Sequence, residues 1–330
     1  MNQKAIKFWI ILSILLIILA GVCMIALAMG TMNISVDKLF WILLNQIDST
    51  EYTILMQIRL PRILVGIAVG GALSLSGVIL QAVFRNPLVE PYTLGISGGA
   101  ALGVSISIVF SLNQSYALSL PFFGMIGAGC VILAIYCLNA FGVVQNVQRL
   151  LLIGVMISFI SNSLFMLIIS LSKSEQMHSI MFWTMGSLEE PNQMLVYCLL
   201  IISLLGCLIT SIYSVDLNVL SLGEADAFHL GIHVERVRNI LLFLASILTG
   251  FCVSISGIIG FVGLVVPHFV RLFLGSDHRT VVIASYITGA IFIILCDLLA
   301  RTLISPMELP VGIVTGLVGG LIFIYALVNK

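Results

Sequence analysis

From Phe8 to Val36 the sequence contains no charged residue. Such a run exceeds the roughly 20 apolar residues that cross about 30 Å of hydrocarbon. Lipid offers the backbone no hydrogen-bond partners, so only helices or closed barrels span it, and a run of this length suits a helix. The composition agrees: 60% of residues are apolar and 8% charged, against roughly 25% charged in an ordinary soluble domain. The chain reads as an all-α polytopic membrane protein, a single transmembrane domain over residues 1–330. Lys4, Lys7 and Ala26-Leu27-Ala28 imitate a secretory signal, but the apolar run outlasts the usual h-region of about 7–15 residues and is kept as a span.

Apolar runs place about ten spans, near 8–29, 60–83, 94–112, 116–139, 150–171, 194–213, 239–257, 258–270, 281–303 and 309–328. The stretch Asn239 to Val270 is too long for one helix and short for two, and Ser254, Ser256, Gly257, Gly260 and Gly263 interrupt it. A helix followed by a half-helix is expected, since irregular backbone at membrane depth persists only inside protein or along a cavity.

With ten spans both termini share a side. That side carries Lys4, Lys7, Arg85, Arg149, Arg236, Arg238, Arg271, Arg279 and Lys330, and the other carries Lys38, Arg59, Arg62, Lys173 and Arg301. The positive-inside bias therefore puts the termini in the cytoplasm. Net charge is zero and no basic cluster points to nucleic acid. The seven cysteines all lie in apolar runs without CxxC spacing, so neither a disulfide nor a metal is expected.

An active transporter needs an energy source. The sequence contains no Gly-Lys dipeptide and hence no GxxxxGK[ST] phosphate loop, so any ATP is bound by another protein. Ion coupling would call for ionisable residues deep in the spans. The candidate is Asp297, and Arg301 one turn on is placed to pair with it.

Three further places could serve transport. In the fifth span Ser158 and Asn162 share a face, as an interhelical hydrogen-bonding pair or as a weakly polar wall of a path. Ahead of the second span stands Gln57-Ile58-Arg59-Leu60-Pro61-Arg62. Pro61 suits a first helical turn, whereas two arginines oppose the positive end of the dipole, by roughly 0.3–1 kcal/mol each. Headgroup phosphates or carboxylates of an external protein would compensate.

The third place is the polar stretch 214–238. Ser221-Leu222-Gly223-Glu224 matches a capping box and Gly231 a stop, which predicts a short slim helix over Leu222–Leu230 carrying Ala225 and Phe228. Nine isolated residues are marginal as a helix in water, so a contact must hold them. His229 and His233 lack a third ligand, and no metal is expected there.

Together these pieces resemble the FecCD-type permeases, the membrane subunits of ABC importers for iron-siderophores, haem and cobalamin. The likeness rests on Arg59-Leu60-Pro61-Arg62, Arg85-Asn86-Pro87-Leu88, Leu94-Gly95-Ile96-Ser97-Gly98-Gly99, Trp183-Thr184-Met185-Gly186-Ser187-Leu188, Leu220-Ser221-Leu222-Gly223-Glu224, Asp277-His278-Arg279 and Glu308-Leu309-Pro310. It implies a ten-span type II ABC importer permease fold, with two permease copies, two cytoplasmic ATP-binding cassette subunits and an extracytoplasmic substrate-binding protein. By that likeness ATP and magnesium reside on the partner ATPase, and this chain carries no cofactor and no catalytic residue.

The same resemblance assigns ATPase coupling to Leu220, Ser221, Leu222, Gly223, Glu224, Ala225, Phe228, Leu230 and Gly231. It assigns the path and gate to Ser158, Asn162, Trp183, Met185, Gly186 and Ser187, and docking of the binding protein to Arg59, Arg62 and Arg301. An ion-coupled secondary transporter or channel is the competing class.

Overall fold

The structure is a computed structural model that describes residues 3–30, 32, 34–35, 42, 50–112, 118–140, 147–190 and 192–328. Its regular elements are helices: α1 Gln3–Ala28, α2 Leu60–Val83, α3 Ile96–Val109, α4 Ser119–Ala140, α5 Val147–Leu171, α6 Ser174–Thr184, α7 Gln193–Ile212, α8 Ser214–Leu222, α9 Glu224–His229, α10 Val234–Ser256, α11 Val262–Leu274, α12 His278–Thr302 and α13 Val311–Val328. A π-helical turn, Ile54–Arg59, leads into α2, and a 3₁₀ turn, Pro91–Leu94, leads into α3.

Seven of the described helices are long and apolar enough to cross a membrane. Three shorter apolar ones, Ile96–Val109, Val262–Leu274 and Val311–Ala326, fill the remaining expected spans. The doubtful eighth span is α11, a 13-residue half-helix. Between α10 and α11 the chain passes through Gly257 and Phe261, both at φ +69°, so the helix does break at Gly257, whereas Ser254 and Ser256 stay inside α10 and donate to its Gly250 and Cys252 carbonyls.

α2 is the central post, buried over nearly its whole length, with α12, α7, α10 and α11 packed around it. Small residues make this possible. A methyl built on Gly70 would fall on the Gly289 carbonyl of α12, and one on Gly77 on the Gly263 carbonyl of α11, so these backbones touch directly. Side chains extend the grip: Gln81 Nε2 donates to the Gly263 carbonyl at 3.0 Å, and Arg271 donates to Gln81 Oε1.

The predicted helix over Leu222–Leu230 is not what forms. α8 runs through Ser221, whose Oγ donates to the Asn218 carbonyl at 2.6 Å instead of capping anything. Packing overrides the capping box, because α8 buries Leu217 and Leu220 against α2 and α12. Gly223, at φ +139°, turns the corner and α9 follows. The expected stop is in place: Gly231 adopts φ +84° and the Ile232 N–H returns to the Ala227 carbonyl.

Candidate functional site

The start of α2 and the ends of α1 and α12 meet at one end of the bundle, and a charged cluster lies there. Arg62, 5% exposed, sits at its centre. Its Nε donates to Asp297 Oδ1 at 2.7 Å, and its Nη1 donates to Glu189 Oε1 at 2.7 Å and to Glu308 Oε2 at 2.8 Å. Asp297 Oδ2 lies 3.0 Å from the Nε of buried Arg301, the pair expected from their spacing.

Arg59 faces the other way and donates to the carbonyls of Leu27, Ala28 and Met32. Arg301 reaches the Ala26 and Met29 carbonyls at 3.4 Å. Two guanidinium groups thus meet carbonyls of the last turn of α1 and of the residues just past it, where positive charge is favourable, and the Ala28 carbonyl accepts the Ile34 N–H as well. The compensation that the dipole argument sought outside the chain lies within it: α1 carbonyls for Arg59, and three carboxylates for Arg62. Among the described residues three arginines face three acids here, and all three arginines are buried.

The acids of this cluster differ in exposure. Asp297 is buried, Glu308 is 34% exposed and Glu189 is 61% exposed. Both glutamates come from loops and line a cleft of about 250 Å³ with Arg62, Phe182, Gly186, Ser187 and Pro310. On the neighbouring Glu190, burial pushes the carboxyl above its ordinary value, and the Asn192 N–H it accepts offsets this in part.

The segment Trp183 to Leu188 is stitched into this end. Ser187 N–H donates to the Ser256 carbonyl at 2.9 Å, and Gly312 N–H donates to the Met185 carbonyl at 3.1 Å. Trp183 and Met185 are half-buried, Ser187 is exposed, and Gly186, at φ +78°, is buried against Ile258. The turn therefore ties α6 to the break after α10 and to the start of α13.

On α5, Ser158 and Asn162 face the glycines that open α3. A methyl on Gly95 would meet Ser158 Oγ at 3.0 Å, and one on Gly98 would meet Asn162 Oδ1 at 3.3 Å. Ser158 Oγ has no hydrogen-bond partner among the described residues, so the interhelical hydrogen bond is not formed there. The rest of α5 exposes Leu152, Met156, Phe159, Ile160, Leu164 and Leu167.

At the opposite end of the bundle, α8 and α9 form a corner. Leu220 and Gly223 are buried, Leu222 and Leu230 are 64% and 62% exposed, and Ser221 and Gly231 are exposed. Glu224, Ala225 and Phe228 occupy α9, and nothing is described of their side chains. Beside the corner, Asn218 of α8 bonds to Asp277 and His278 at the start of α12. Burial raises the Asp277 carboxyl, but the hydrogen bonds from Asn218 and Arg279 N–H and the nearby positive charges outweigh it and hold it below its ordinary value.

Sequence reasoning did not find Glu189, Glu308 or Asn218 as partners. Among the described residues no group of three or more His, Cys, Asp or Glu could hold a metal ion.

Fold and site together define a multi-pass, all-helical membrane protein whose charges gather at the two ends of the bundle. Residues 15–329 match the model of the FecCD transport family. The hemin transport system permease protein HmuU of Yersinia pestis is 37% identical, covering 97% of this chain and 96% of that one. The molybdate import system permease protein MolB of Haemophilus influenzae is 36% identical, covering 94% and 92%. A solved structure described as a metal-chelate type ABC transporter in an inward-facing conformation is 33% identical, with TM-score 0.87 over 97% of this chain and 99% of that chain. PsaBC from Streptococcus pneumoniae, at 16% identity and TM-score 0.60 over 83% and 92%, shares the fold. The chain belongs to the FecCD transport family and is a permease subunit of an ABC importer.

Proposed function

We infer that two copies of this chain form the membrane path of an importer that moves a metal chelate, haem or cobalamin-like substrate by alternating access. Separate ATPase subunits supply the energy. One observation carries the reading against an ion-coupled carrier: Asp297, the deep acid available for coupling, is committed to Arg62 and Arg301. An acid fixed between two arginines is poorly placed to load and unload an ion each cycle.

The remaining roles follow from this reading. The corner of α8 and α9, with exposed Leu222 and Leu230, takes the ATPase. The Arg62 end, with Glu189 and Glu308 at its surface, takes the substrate-binding protein. A carboxylate from that partner would reach Arg62 by displacing one of these glutamates. The face of α5 bearing Ser158 and Asn162, with the turn Trp183 to Ser187, borders the path. Both termini lie in the cytoplasm of a cell bounded by this membrane, a placement that the positive-inside bias supports.

The test is reconstitution in liposomes with the ATPase subunits and binding protein that co-purify with the chain. Hemin, cyanocobalamin, a ferric hydroxamate and molybdate serve as substrates in turn. Uptake of one of them that requires ATP supports the reading. Uptake driven by an ion gradient through the chain alone refutes it.

A further inference from the structure

Asn218 is half-buried in α8, and three contacts tie its side chain to the start of α12. Its Nδ2 donates to Asp277 Oδ1 at 2.8 Å, and its Oδ1 accepts the His278 backbone N–H at 2.8 Å. The His278 Nδ1 lies 2.8 Å from that same Oδ1. These contacts admit one arrangement of protons. A backbone N–H only donates and a carboxylate only accepts, so the amide orientation is forced. Its oxygen can then only accept, so His278 Nδ1 carries the hydrogen. Asp277 in turn caps α12 by accepting the Arg279 N–H at 3.0 Å. One amide thus holds the cap, the first N–H and the first side chain of α12 together.

The far end of α12 is also tied down. Asp297 stands 19 positions after His278, roughly 28 Å along the helix at about 1.5 Å per residue, and there it meets Arg62 and Arg301. Between the two ends, α12 is pressed backbone to backbone against α2 at Gly70 and Gly289. Close-packed elements of this kind move as units instead of deforming locally. The other end of α8 leads directly into the Gly223 corner.

We propose that Asn218 is a positioning residue through which movement of the α8–α9 corner is passed to α12 and, along that rigid helix, to the Arg62 cluster. A shift at the start of α12 displaces Asp297 at its other end. Arg62 shares its guanidinium between Asp297 and the loop acids Glu189 and Glu308, so the hold on both loops changes with it. The idea rests on the reading of this chain as the permease of an ATP-driven importer.

The test compares Asn218→Asp with the double variant Asn218→Asp/Asp277→Asn. The single change sets a carboxylate against the Asp277 carboxylate. The double change exchanges amide and carboxylate and restores a donor opposite an acceptor. A bimane reporter on Met307→Cys, a site 71% exposed beside Glu308, reads the Arg62 end. The background carries Cys130→Ser and Cys137→Ser, because those two thiols are exposed. The complex with its co-purifying ATPase subunits, in nanodiscs, receives magnesium and ATP, and the reporter change is measured per phosphate released.

Asn218→Asp should lower that ratio about fivefold, within the range that mutations along a coupling route produce, and the double variant should restore it. An unchanged ratio in Asn218→Asp, or an equal loss in the double variant, overturns the proposal. A change at Asn218 that only weakened the structure would lower the melting temperature of the complex without altering the ratio. If Asn218→Asp fails to assemble, Asn218→Ala, which brings no charge, is judged by the same criteria. A parent complex that releases phosphate with no reporter change also overturns the proposal, whereas substrate uptake on an ion gradient through the chain alone refutes the importer reading instead. The clasp itself is read without ATP, as amide exchange at His278 and Arg279 that is faster in Asn218→Ala than in the parent.

Discussion

Asp297→Ala should destabilise the chain more than any other single change at the Arg62 end. The carboxylate is about 3% exposed, 2.7 Å from Arg62 Nε and 3.0 Å from Arg301 Nε. Its removal affects the two arginines differently. Arg62 keeps Glu189 and Glu308 at 2.7 and 2.8 Å. Among the described residues Arg301 keeps only the Ala26 and Met29 carbonyls at 3.4 Å, while its own side chain stays 5% exposed. Breaking a buried pair by removing one partner costs about 3–5 kcal/mol, and the retained acids on Arg62 place the effect at the lower end, about 3 kcal/mol.

At about 2 °C per kcal/mol for a large chain, the melting temperature should fall by roughly 6 °C. A thermal melt of the detergent-purified protein, read by size exclusion, measures it. Asp297→Leu/Arg301→Met provides the internal check, because replacing both members of a buried pair by apolar groups is often neutral or stabilising by about 1–4 kcal/mol. The double variant should therefore melt above Asp297→Ala. A single variant that melts within about 1 °C of the parent, or a double variant that melts lower still, would refute the reasoning.

Four further outcomes are expected. Glu189→Gln should cost less than about 1 kcal/mol despite its 2.7 Å contact with Arg62, because its side chain is 61% exposed and screened; the same melt shows it. Gly77→Ala should cost at least about 1–3 kcal/mol, since its methyl meets the Gly263 backbone, which cannot rotate away as a side chain could; folded yield after extraction reports it. Leu222→Glu and Leu230→Glu should leave the melting temperature unchanged and weaken co-purification of the ATPase at least about tenfold, as loss of central apolar contacts at an interface does. The Asp277 carboxyl lies below its ordinary value, so its contribution is present above that value and lost as pH falls through the lowered one. Amide protection at His278 and Arg279, corrected for intrinsic exchange, should thus stay constant between about pH 5 and 8.

The spans were legible because lipid leaves the backbone few choices, and apolar length alone marks them. The half-helix α11 was legible for a related reason, since Gly257 and Gly260 stand where an unbroken helix would have no need of them. The capping box at Ser221 misled because its residues are local, while the burial of Leu217 and Leu220 against α2 and α12 is not. Asp297 was identified as the partner of Arg301 from its spacing, but the further partners of Arg62 were not. Glu189 and Glu308 lie 127 and 246 positions from Arg62, and nothing in the spacing of the chain joins them. Asn218 gave no signal for the same reason: its bonds to Asp277 and His278 exist only once α8 and α12 are packed.

The arrangement of charge also bears on substrate choice. A permease described for hemin and one described for molybdate stand at 37% and 36% identity to this chain, although one name denotes a large apolar macrocycle and the other a small oxyanion. A path that bound its substrate tightly would need groups matched to one of them. Here, among the described residues, the three arginines of the Arg62 end lie against carbonyls at and past the end of α1 and against three acids of the same chain. The exposed face of α5 offers mostly aliphatic and aromatic side chains beside Asn162. Charges neutralised internally cannot select an anion, and an apolar wall does not distinguish sharply among large ligands, because a methylene more or less is worth only about 1–3 kcal/mol. On the proposed reading, in which α5 borders the path and a substrate-binding protein docks at the Arg62 end, selection then falls to that partner. The substitutions that change what is carried should accordingly cluster in that partner, while those at Arg62, Asp297 and Asn218 change whether anything is carried at all.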